Sequence, residues 1–249
     1  MKEKFNKLLE HATGYRISVE RKISSPFRAQ KRVFSLINED VRRIIDAGAY
    51  KGNISDKYLK LFSESKIYCF EPFEGSFKLL KNRFENNGRV KCIQKALSET
   101  NEKKEFYINE FKATNSTLPR PSNGKKYYKS NGKTINKSKV NSKKLDDFVE
   151  DENLKKIDIL KMDIQGGELN ALKGAKKLLK NSNVKLIYTE VMLVEHYEDQ
   201  PLLVDIWNYL NEFGYSFYNV FNIVEGGDGQ MRYGDVIFLN RNVKSKIRK

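Results

Sequence analysis

The stretch from residue 41 to residue 72 most constrains what this chain can fold into. It begins with a short apolar run, V-R-R-I-I-D-A, and continues through a turn with glycines at 48 and 52. A spacer of helical length then leads to a second apolar run, K-I-Y-C-F-E-P. Short apolar runs are typical of buried parallel strands. The stretch therefore predicts a strand, a glycine turn, a helix and a second strand.

The same alternation continues along the chain. Further strands are predicted over 90–97, 157–163 and 184–191, and the runs 215–224 and 236–240 predict a C-terminal antiparallel hairpin. Strands that alternate with helices of ordinary length predict an α/β fold with a parallel sheet and right-handed connections. The predicted helices cover 53–62, 73–84, 168–179 and 201–213.

One domain with decorated ends is the organisation that the sequence favours, since no repeat or Pro/Ser-rich linker interrupts it. Residues 1–40 are expected to form a helical lead, in which the run 27–37 has one face able to pack on the sheet. Residues 41–240 form the main domain. Residues 241–249 are a basic tail that is expected to be frayed.

The segment 111–144 differs in composition from the rest of the domain. It carries ten basic residues and no acidic ones, with many Ser, Asn, Gly and Thr. Such a segment buries little apolar surface and is predicted to be a long loop or basic flap, either a substrate lid or a tolerated insertion. Residues 104–109 are predicted to form a strand of an edge hairpin before it, and 115–118 are expected to be ordered near a site.

Charge and cysteine usage limit the setting and the partners. The net charge is +15, which indicates either an anionic partner or only a compositional bias towards lysine. Cys69 and Cys92 fall in strand-like runs and are predicted to be buried thiols. No apolar run approaches the roughly 18 residues of a membrane span, and no secretory signal is recognised, so a cytoplasmic setting is predicted.

The ends of the predicted strands carry the residues expected to bind a cofactor. Asp46 ends the first strand and suits an ammonium or water network, whereas Glu71 ends the second and suits the two hydroxyls of a ribose. Gly48 allows a close backbone approach. The spacing of Gly48 and Gly52 is not the G-x-G-x-x-G of a pyrophosphate site. These features favour S-adenosylmethionine (SAM) over NAD.

The third and fourth strand ends extend this site. Residues 94–96 are expected near an adenine, and Asp163 under the reactive end of the cofactor or, alternatively, as the N-cap of the next helix. The residues predicted to contact the cofactor are Asp46, Gly48, Ala49, Tyr50, Gly52, Asn53, Glu71, Pro72, Gln94, Lys95, Ala96 and Asp163. Glu190 closes the fifth strand and is expected to face the same crevice, and His196 follows in the next loop.

An ordered set of short motifs carries a family resemblance. They are I-I-D-A-G-A-Y-K-G, Y-C-F-E-P, K-A-L-S, N-S-T-L, K-K-L-D-D-F, I-D-I-L-K-M-D-I-Q-G-G-E and L-K-G-A. Together they resemble the FkbM-type SAM-dependent methyltransferases over 41–240. The resemblance implies the Rossmann-like class I methyltransferase fold, a seven-stranded, mostly parallel sheet with helices on both faces. It also implies methyl transfer to oxygen, often of a sugar hydroxyl.

The resemblance implies SAM contacts at Asp46, Gly48, Gly52 and Glu71, and an active-site role for Asp163. Two positions depart from the family pattern. Tyr50 stands where members often have Asn, and Gln165 where they often have Glu. A glutamine cannot bind a proton or a metal as a carboxylate does, so any role of that charge is not expected here.

Two routes could activate an acceptor hydroxyl. Either His196 or Asp163 takes the proton as general base, with Glu190 orienting, or a divalent cation held by Asp163 and Glu190 lowers the pKa of the hydroxyl. The leading expectation is an O-methyltransferase acting on a sugar or glycan. RNA 2′-hydroxyl methylation, suggested by the positive charge, and a non-catalytic binding module are the alternatives. The identity of the acceptor and the oligomeric state stay open.

Overall fold

The computed structural model of the protein describes residues 25–121 and 133–247. Most of the predicted helical lead, the middle of the basic segment and the last two residues lie outside these ranges. The strands are β1 (Arg43–Ala47), β2 (Lys66–Phe70), β3 (Val90–Ile93), β4 (Ala96–Leu97), β5 (Lys103–Asn109), β6 (Thr134–Lys143), β7 (Ile157–Met162), β8 (Val184–Met192), β9 (Ser216–Glu225) and β10 (Met231–Leu239). The helices are α1 (Pro26–Leu36), α2 (Asn53–Leu61), α3 (Glu74–Arg83), α4 (Leu145–Asp151), α5 (Glu168–Lys173), α6 (Lys176–Lys180), α7 (Leu203–Glu212) and α8 (Arg241–Ile247).

Seven of these strands form the main sheet, in the order β3-β2-β1-β7-β8-β10-β9. The five strands from β3 to β8 run parallel, whereas β10 is antiparallel to both β8 and β9. Apolar clusters cover both faces of the sheet. The predicted fold class is therefore confirmed, including the C-terminal hairpin.

A second, three-stranded sheet has the order β4-β6-β5 and was only partly predicted. The predicted strand 90–97 is wrong as one element, because the chain leaves the main sheet after Ile93 and Ala96 pairs with Ser142 in the small sheet. The prediction of a long loop or flap over 111–144 is also wrong where β6 forms, since residues 134–141 of this strand pair with β5. Val140 on β6 joins a small apolar cluster, while the alternate lysines face solvent.

Two further predictions about the helices need correction. The predicted helix 168–179 is divided into α5 and α6 around Gly174, where a side-chain Cβ would lie 2.0 Å from the carbonyl oxygen of Ser98. The chain bends at this close contact. The basic tail is not frayed up to Ile247 but forms α8. Asn240 Oδ1 accepts a hydrogen bond from the N–H of Val243, which is buried.

Helix α1 packs on the sheet as its pattern predicts. Val33 and Phe34 are buried, and the Phe27 ring meets the rings of Tyr58 and Tyr188 edge to face, at 5.4 and 6.1 Å between centroids. Both cysteines are free thiols. Cys69 is buried as predicted, whereas Cys92 is only half-buried. Within the described ranges, no helix is long and apolar enough to cross a membrane.

Candidate active site

A cavity of about 380 Å³ opens at the carboxyl ends of β1, β2 and β7. Because parallel strands end at one edge of the sheet, the turns that follow them meet here. The predicted cofactor residues that line it are Gly48, Ala49, Tyr50, Asn53, Glu71, Pro72, Lys95, Ala96 and Asp163. The predicted site residues that do not line it are Asp46, Gly52, Gln94, Glu190 and His196.

The glycine turn uses its own N–H groups within the protein. The N–H groups of Gly48 and Ala49 both donate to the carbonyl of Phe70, each at 3.0 Å, and that of Gly52 donates to Ala49 at 2.8 Å. A phosphate cradle directs such groups at its ligand instead. The turn therefore suits a ligand without a pyrophosphate, as the missing fingerprint predicts.

Gly48 is required by close packing against the end of β7. Its φ is +72°, and a Cβ there would lie 1.9 Å from the carbonyl oxygen of Asp163. We expect Gly48→Ala to destabilise the fold by about 3 kcal/mol or more, because it adds backbone strain to a steric clash. Urea unfolding measures this. Gly88→Ala is the control, since a Cβ at Gly88 meets nothing within 4 Å, and equal losses in both variants would contradict the assignment.

Gly52 and Gln94 lie outside the cavity for different reasons. Gly52 has a φ of +84° and caps α2, and a Cβ there would lie 2.4 Å from the Phe84 ring. Its conformation therefore serves helix packing. The Gln94 side chain is exposed, and its neighbour Lys95 reaches the cavity instead.

Glu71 is held in place by two backbone N–H groups. Its Oε2 accepts from Tyr50 and its Oε1 from Phe73, both at 2.9 Å. Each oxygen keeps a further lone pair, so the carboxylate can still accept the two hydroxyls of a ribose. Burial raises the pKa of Glu71 to about 7, although the two N–H bonds act in the opposite direction.

The raised pKa of Glu71 predicts a pH-dependent affinity for SAM. The ionised carboxylate is the better acceptor of two hydroxyls, so we expect the Kd to rise as the pH falls below about 7. The stability of the free protein depends on pH in the opposite direction. Because the pKa of Glu71 is higher in the folded than in the unfolded state, the free energy of unfolding falls as the pH rises from about 4.5 to about 7. Calorimetric titration of SAM at several pH values tests the binding. Glu71→Gln should bind about tenfold more weakly with little pH dependence over the same range. A wild-type Kd that does not vary with pH would contradict this role.

Asp46 lies beneath the turn and not in the cavity. It has no exposed surface, its Oδ2 accepts from Ser55 Oγ at 2.6 Å, and its Oδ1 lies 3.0 Å from Lys161 Nζ. The ammonium of Lys161 also donates to the carbonyls of Ala47 and Gly48, at 3.2 and 3.0 Å. A buried carboxylate needs such a partner. Asp46 therefore acts on the cavity through Lys161.

Lys161 lines the cavity and was missed in the sequence analysis. Burial lowers its pKa, but the carboxylates of Asp46 and Asp163 more than reverse this, and the net pKa is raised. The ammonium therefore stays charged. The sequence does contain a pattern that could have identified Lys161. A lysine stands inside the apolar run I-D-I-L-K-M of a central strand, where a charge requires a buried partner.

Asp163 and Glu190 are brought together by Gln165. The Nε2 of Gln165 donates to Asp163 Oδ1 at 3.0 Å and to Glu190 Oε2 at 2.8 Å. Burial raises the pKa of Glu190 well above its usual value, and the nearby charges of Asp163 and Glu168 act in the same direction. Asp163 is therefore the hydrogen-bond acceptor on the cavity wall. Glu190 lies behind it and holds its proton more tightly than an ordinary glutamate.

The Glu168 carboxylate holds the turn after β7 through two backbone hydrogen bonds. Its Oε1 accepts from Ile164 N–H and its Oε2 from Gly166 N–H, both at 2.9 Å. Its burial raises its pKa to about 7. The residue preceding α5 is Gly167, so the alternative of Asp163 as a helix N-cap is wrong. Asp163 is left to face the cavity.

His196 lies in the loop behind the cavity wall. Its Nδ1 is 3.0 Å from the carbonyl oxygen of Val194, and its ring meets that of Tyr233 edge to face. Burial lowers the pKa of the imidazole. The backbone carbonyl oxygen of His196 accepts a hydrogen bond from the Arg120 guanidinium at 3.1 Å. The residue thus supports the segment that covers the site, and its position does not favour the predicted role as base.

Residues 114–120 form a segment that covers the site. Within it, 115–118 are ordered beside the cavity, as expected. Ser116 Oγ donates to the carbonyl of Gln165 at 2.6 Å. The hydroxyl of Tyr197 lies 2.8 Å from the Thr114 carbonyl and 2.9 Å from Gln165 Oε1. The guanidinium of Arg120 stacks 4.2 Å from the centre of the Tyr197 ring. These contacts fix the segment against the turn after β7.

The cation predicted between Asp163 and Glu190 does not fit this arrangement. An N–H donor of Gln165 points at each carboxylate, where a cation would need lone pairs. Over the part of the chain that the structure describes, no group of three or more His, Cys, Asp or Glu side chains could hold a metal ion.

Residues 46–217 match the family model described as the methyltransferase FkbM domain. This span covers more than half of the chain and includes every residue that lines the cavity. The chain belongs to the FkbM methyltransferase family. This FkbM protein is a SAM-dependent methyltransferase, as the resemblance of its motifs implies.

The FkbM chain is also similar to individual proteins. It is 26% identical over 200 residues to 2-O-methyltransferase NoeI of Sinorhizobium fredii, covering 78% of this chain and 81% of NoeI. A solved precorrin-6y C5,15-methyltransferase of Geobacter metallireducens matches with a TM-score of 0.47 and 10% identity, covering 90% and 93% of the two chains. The magnesium protoporphyrin IX methyltransferase of Synechocystis PCC 6803, solved with SAM, gives 0.46 and 12%, covering 96% of each.

Proposed function

We propose that this enzyme methylates a hydroxyl oxygen of a sugar or glycan, with Asp163 as the general base. The observation that carries the proposal is the state of the Asp163 carboxylate. Its Oδ1 is held by Gln165, and among the described residues no group donates to its Oδ2. An acceptor hydroxyl needs such a group within hydrogen-bond reach. The relative NoeI is named as a 2-O-methyltransferase, which supports oxygen as the acceptor atom.

The cavity residues divide between the parts of the cofactor. Glu71 would hold the ribose hydroxyls, and Lys95 and Ala96 would lie beside the adenine. The turn from Gly48 to Tyr50 would hold the methionine end, which brings the reactive end close to Asp163. When bound, SAM supplies an electrophilic methyl group on its sulfonium.

The chain's own residues supply positioning and proton transfer. Asp163 Oδ2 accepts the hydrogen bond of the acceptor hydroxyl and thereby orients its oxygen in line with the methyl group. The proton would pass to Asp163 as the hydroxyl oxygen takes the methyl group that bound SAM would supply, and the cofactor would leave as its neutral thioether. Lys161 holds the turn through the carbonyls of Ala47 and Gly48, and Asn115 and Thr117 form part of the cavity wall.

Lysines on the cavity wall support an anionic acceptor. Lys51, Lys57, Lys95 and Lys112 line the cavity, and none forms an ion pair within the described ranges. A sugar that carries a carboxylate, sulfate or phosphate would match this charge. The same charge is the observation that favours RNA 2′-hydroxyl methylation as the second candidate.

Transfer of labelled methyl groups from SAM distinguishes the two candidates. The purified enzyme is incubated with neutral glycans, anionic glycans and RNA, and label is counted on each product. We expect label on a glycan, with anionic members preferred. Label on RNA and none on any glycan would overturn the proposal in favour of the second candidate.

A further inference from the structure

Both polar atoms of the Gln165 side chain have a hydrogen-bond partner on the side of the cavity where the methyl acceptor is expected. A primary amide offers two N–H donors and one acceptor oxygen. The two donors serve Asp163 at 3.0 Å and Glu190 at 2.8 Å, and the oxygen lies 2.9 Å from the hydroxyl of Tyr197. The amide therefore bridges two carboxylates that would otherwise repel each other.

The chemistry of these partners fixes which way the amide points. The Asp163 carboxylate accepts hydrogen bonds and cannot donate them, so the amide nitrogen faces it, and Glu190 Oε2 accepts the second N–H. The opposite orientation would set the amide oxygen against two carboxylate oxygens. Tyr197 does not decide the orientation, because its single O–H proton is shared between the carbonyl oxygens of Thr114 and Gln165. The Tyr197 ring is itself held under the guanidinium of Arg120.

The backbone of Gln165 is held as firmly as its side chain. Its φ is +55°, a left-handed conformation that glutamine rarely adopts. Ser116 donates to its carbonyl oxygen, and Glu168 accepts the N–H groups on either side of it in the turn. A strained residue persists only where its surroundings determine it closely. The position of the amide is thus set by the fold.

We infer that Gln165 is a positioning residue that takes the place of a bridging cation. Its neutral amide holds Asp163 and Glu190 side by side, with Asp163 Oδ2 turned to the acceptor, and the pair then needs no metal. The inference rests on the proposed function in its use of Asp163, but the amide bridge itself concerns only the described residues. A carboxylate at position 165 would instead bring three carboxylates together, which is a donor set for a divalent cation.

Binding of Mn²⁺ to Gln165→Glu, followed by electron paramagnetic resonance, tests the inference without any acceptor. We expect the variant to bind one Mn²⁺, the double variant Gln165→Glu with Asp163→Asn to lose it, and the wild type to bind none at this site. Gln230→Glu is the control, since it makes the same chemical change at an exposed position. Mn²⁺ bound by the wild type and lost in Asp163→Asn would overturn the inference. A folded Gln165→Glu that binds no Mn²⁺ would also overturn it.

Gln165→Met provides a second test that needs no added charge. It keeps most of the side-chain volume but removes both donors. We expect kcat to fall about 10- to 100-fold with the Kd for SAM within about twofold, because Asp163 loses its orientation while Glu71, Lys95 and the glycine turn do not change. An unchanged kcat, or an equal loss of SAM affinity, would overturn the inference. If no acceptor is methylated at all, the proposed function fails, and the Mn²⁺ measurement still decides the role of the amide.

Discussion

The Asp163→Asn enzyme is expected to transfer methyl groups at least about 100 times more slowly than the wild type. Asparagine keeps an oxygen for the hydrogen bond from Gln165, so the turn after β7 should keep its shape. It removes the negative charge and the group that takes the proton. The expected loss is therefore confined to kcat, and the Kd for SAM stays within about twofold. Steady-state kinetics and calorimetric titration measure the two quantities.

His196→Ala is the informative comparison. The imidazole lies behind the cavity wall with its Nδ1 near the Val194 carbonyl, so this variant should keep most of its kcat. If His196→Ala lost as much activity as Asp163→Asn, the histidine would be restored as the base. If Asp163→Asn kept wild-type kcat, the carboxylate would have no part in proton transfer.

Lys161→Met is expected to lower the free energy of unfolding by about 3–5 kcal/mol. The change leaves the fully buried carboxylate of Asp46 with Ser55 as its remaining donor. It also removes the donor from the carbonyls of Ala47 and Gly48. Urea denaturation measures the loss. Lys60→Met, an exposed lysine on α2, should be close to neutral.

A double variant shows whether the loss comes from the charge pair. Adding Asp46→Asn to Lys161→Met removes the stranded charge, so we expect part of the stability to return. Losses that simply add would indicate that the two side chains do not interact. The turn at Gly48 would then need another explanation for its rigidity.

The strand-end residues were predictable because they depend on local sequence alone. Glu71 follows an apolar run directly, and the parallel sheet then fixes which edge it occupies. Asp46 follows the same rule, but its side chain turns inwards to Lys161, which is more than a hundred positions away along the chain. No local pattern contains that pairing. The sequence placed Asp46 at the correct edge of the sheet, but its side chain lies beneath the cavity and does not line it.

The remaining errors have similar causes. Strand β6 was missed because its apolar side is one valine among small polar residues, and the lysines on its other face dominate the composition. His196 was predicted near the acceptor from its position after β8. That role stays a prediction, and the structure shows its ring against Val194 and Tyr233. The path of a loop depends on contacts such as the one with Arg120, which the spacing of residues does not encode.

Linkage analysis of the methylated product tests the central claim most directly. The purified enzyme is given SAM with a labelled methyl group and the glycan that accepts most label, and the position of the new methyl group is found by mass spectrometry and NMR. We expect one methyl ether on a sugar hydroxyl, formed by the wild type and at least about 100 times more slowly by Asp163→Asn. A methyl group on nitrogen, or on the ribose of RNA with none on any glycan, would contradict it.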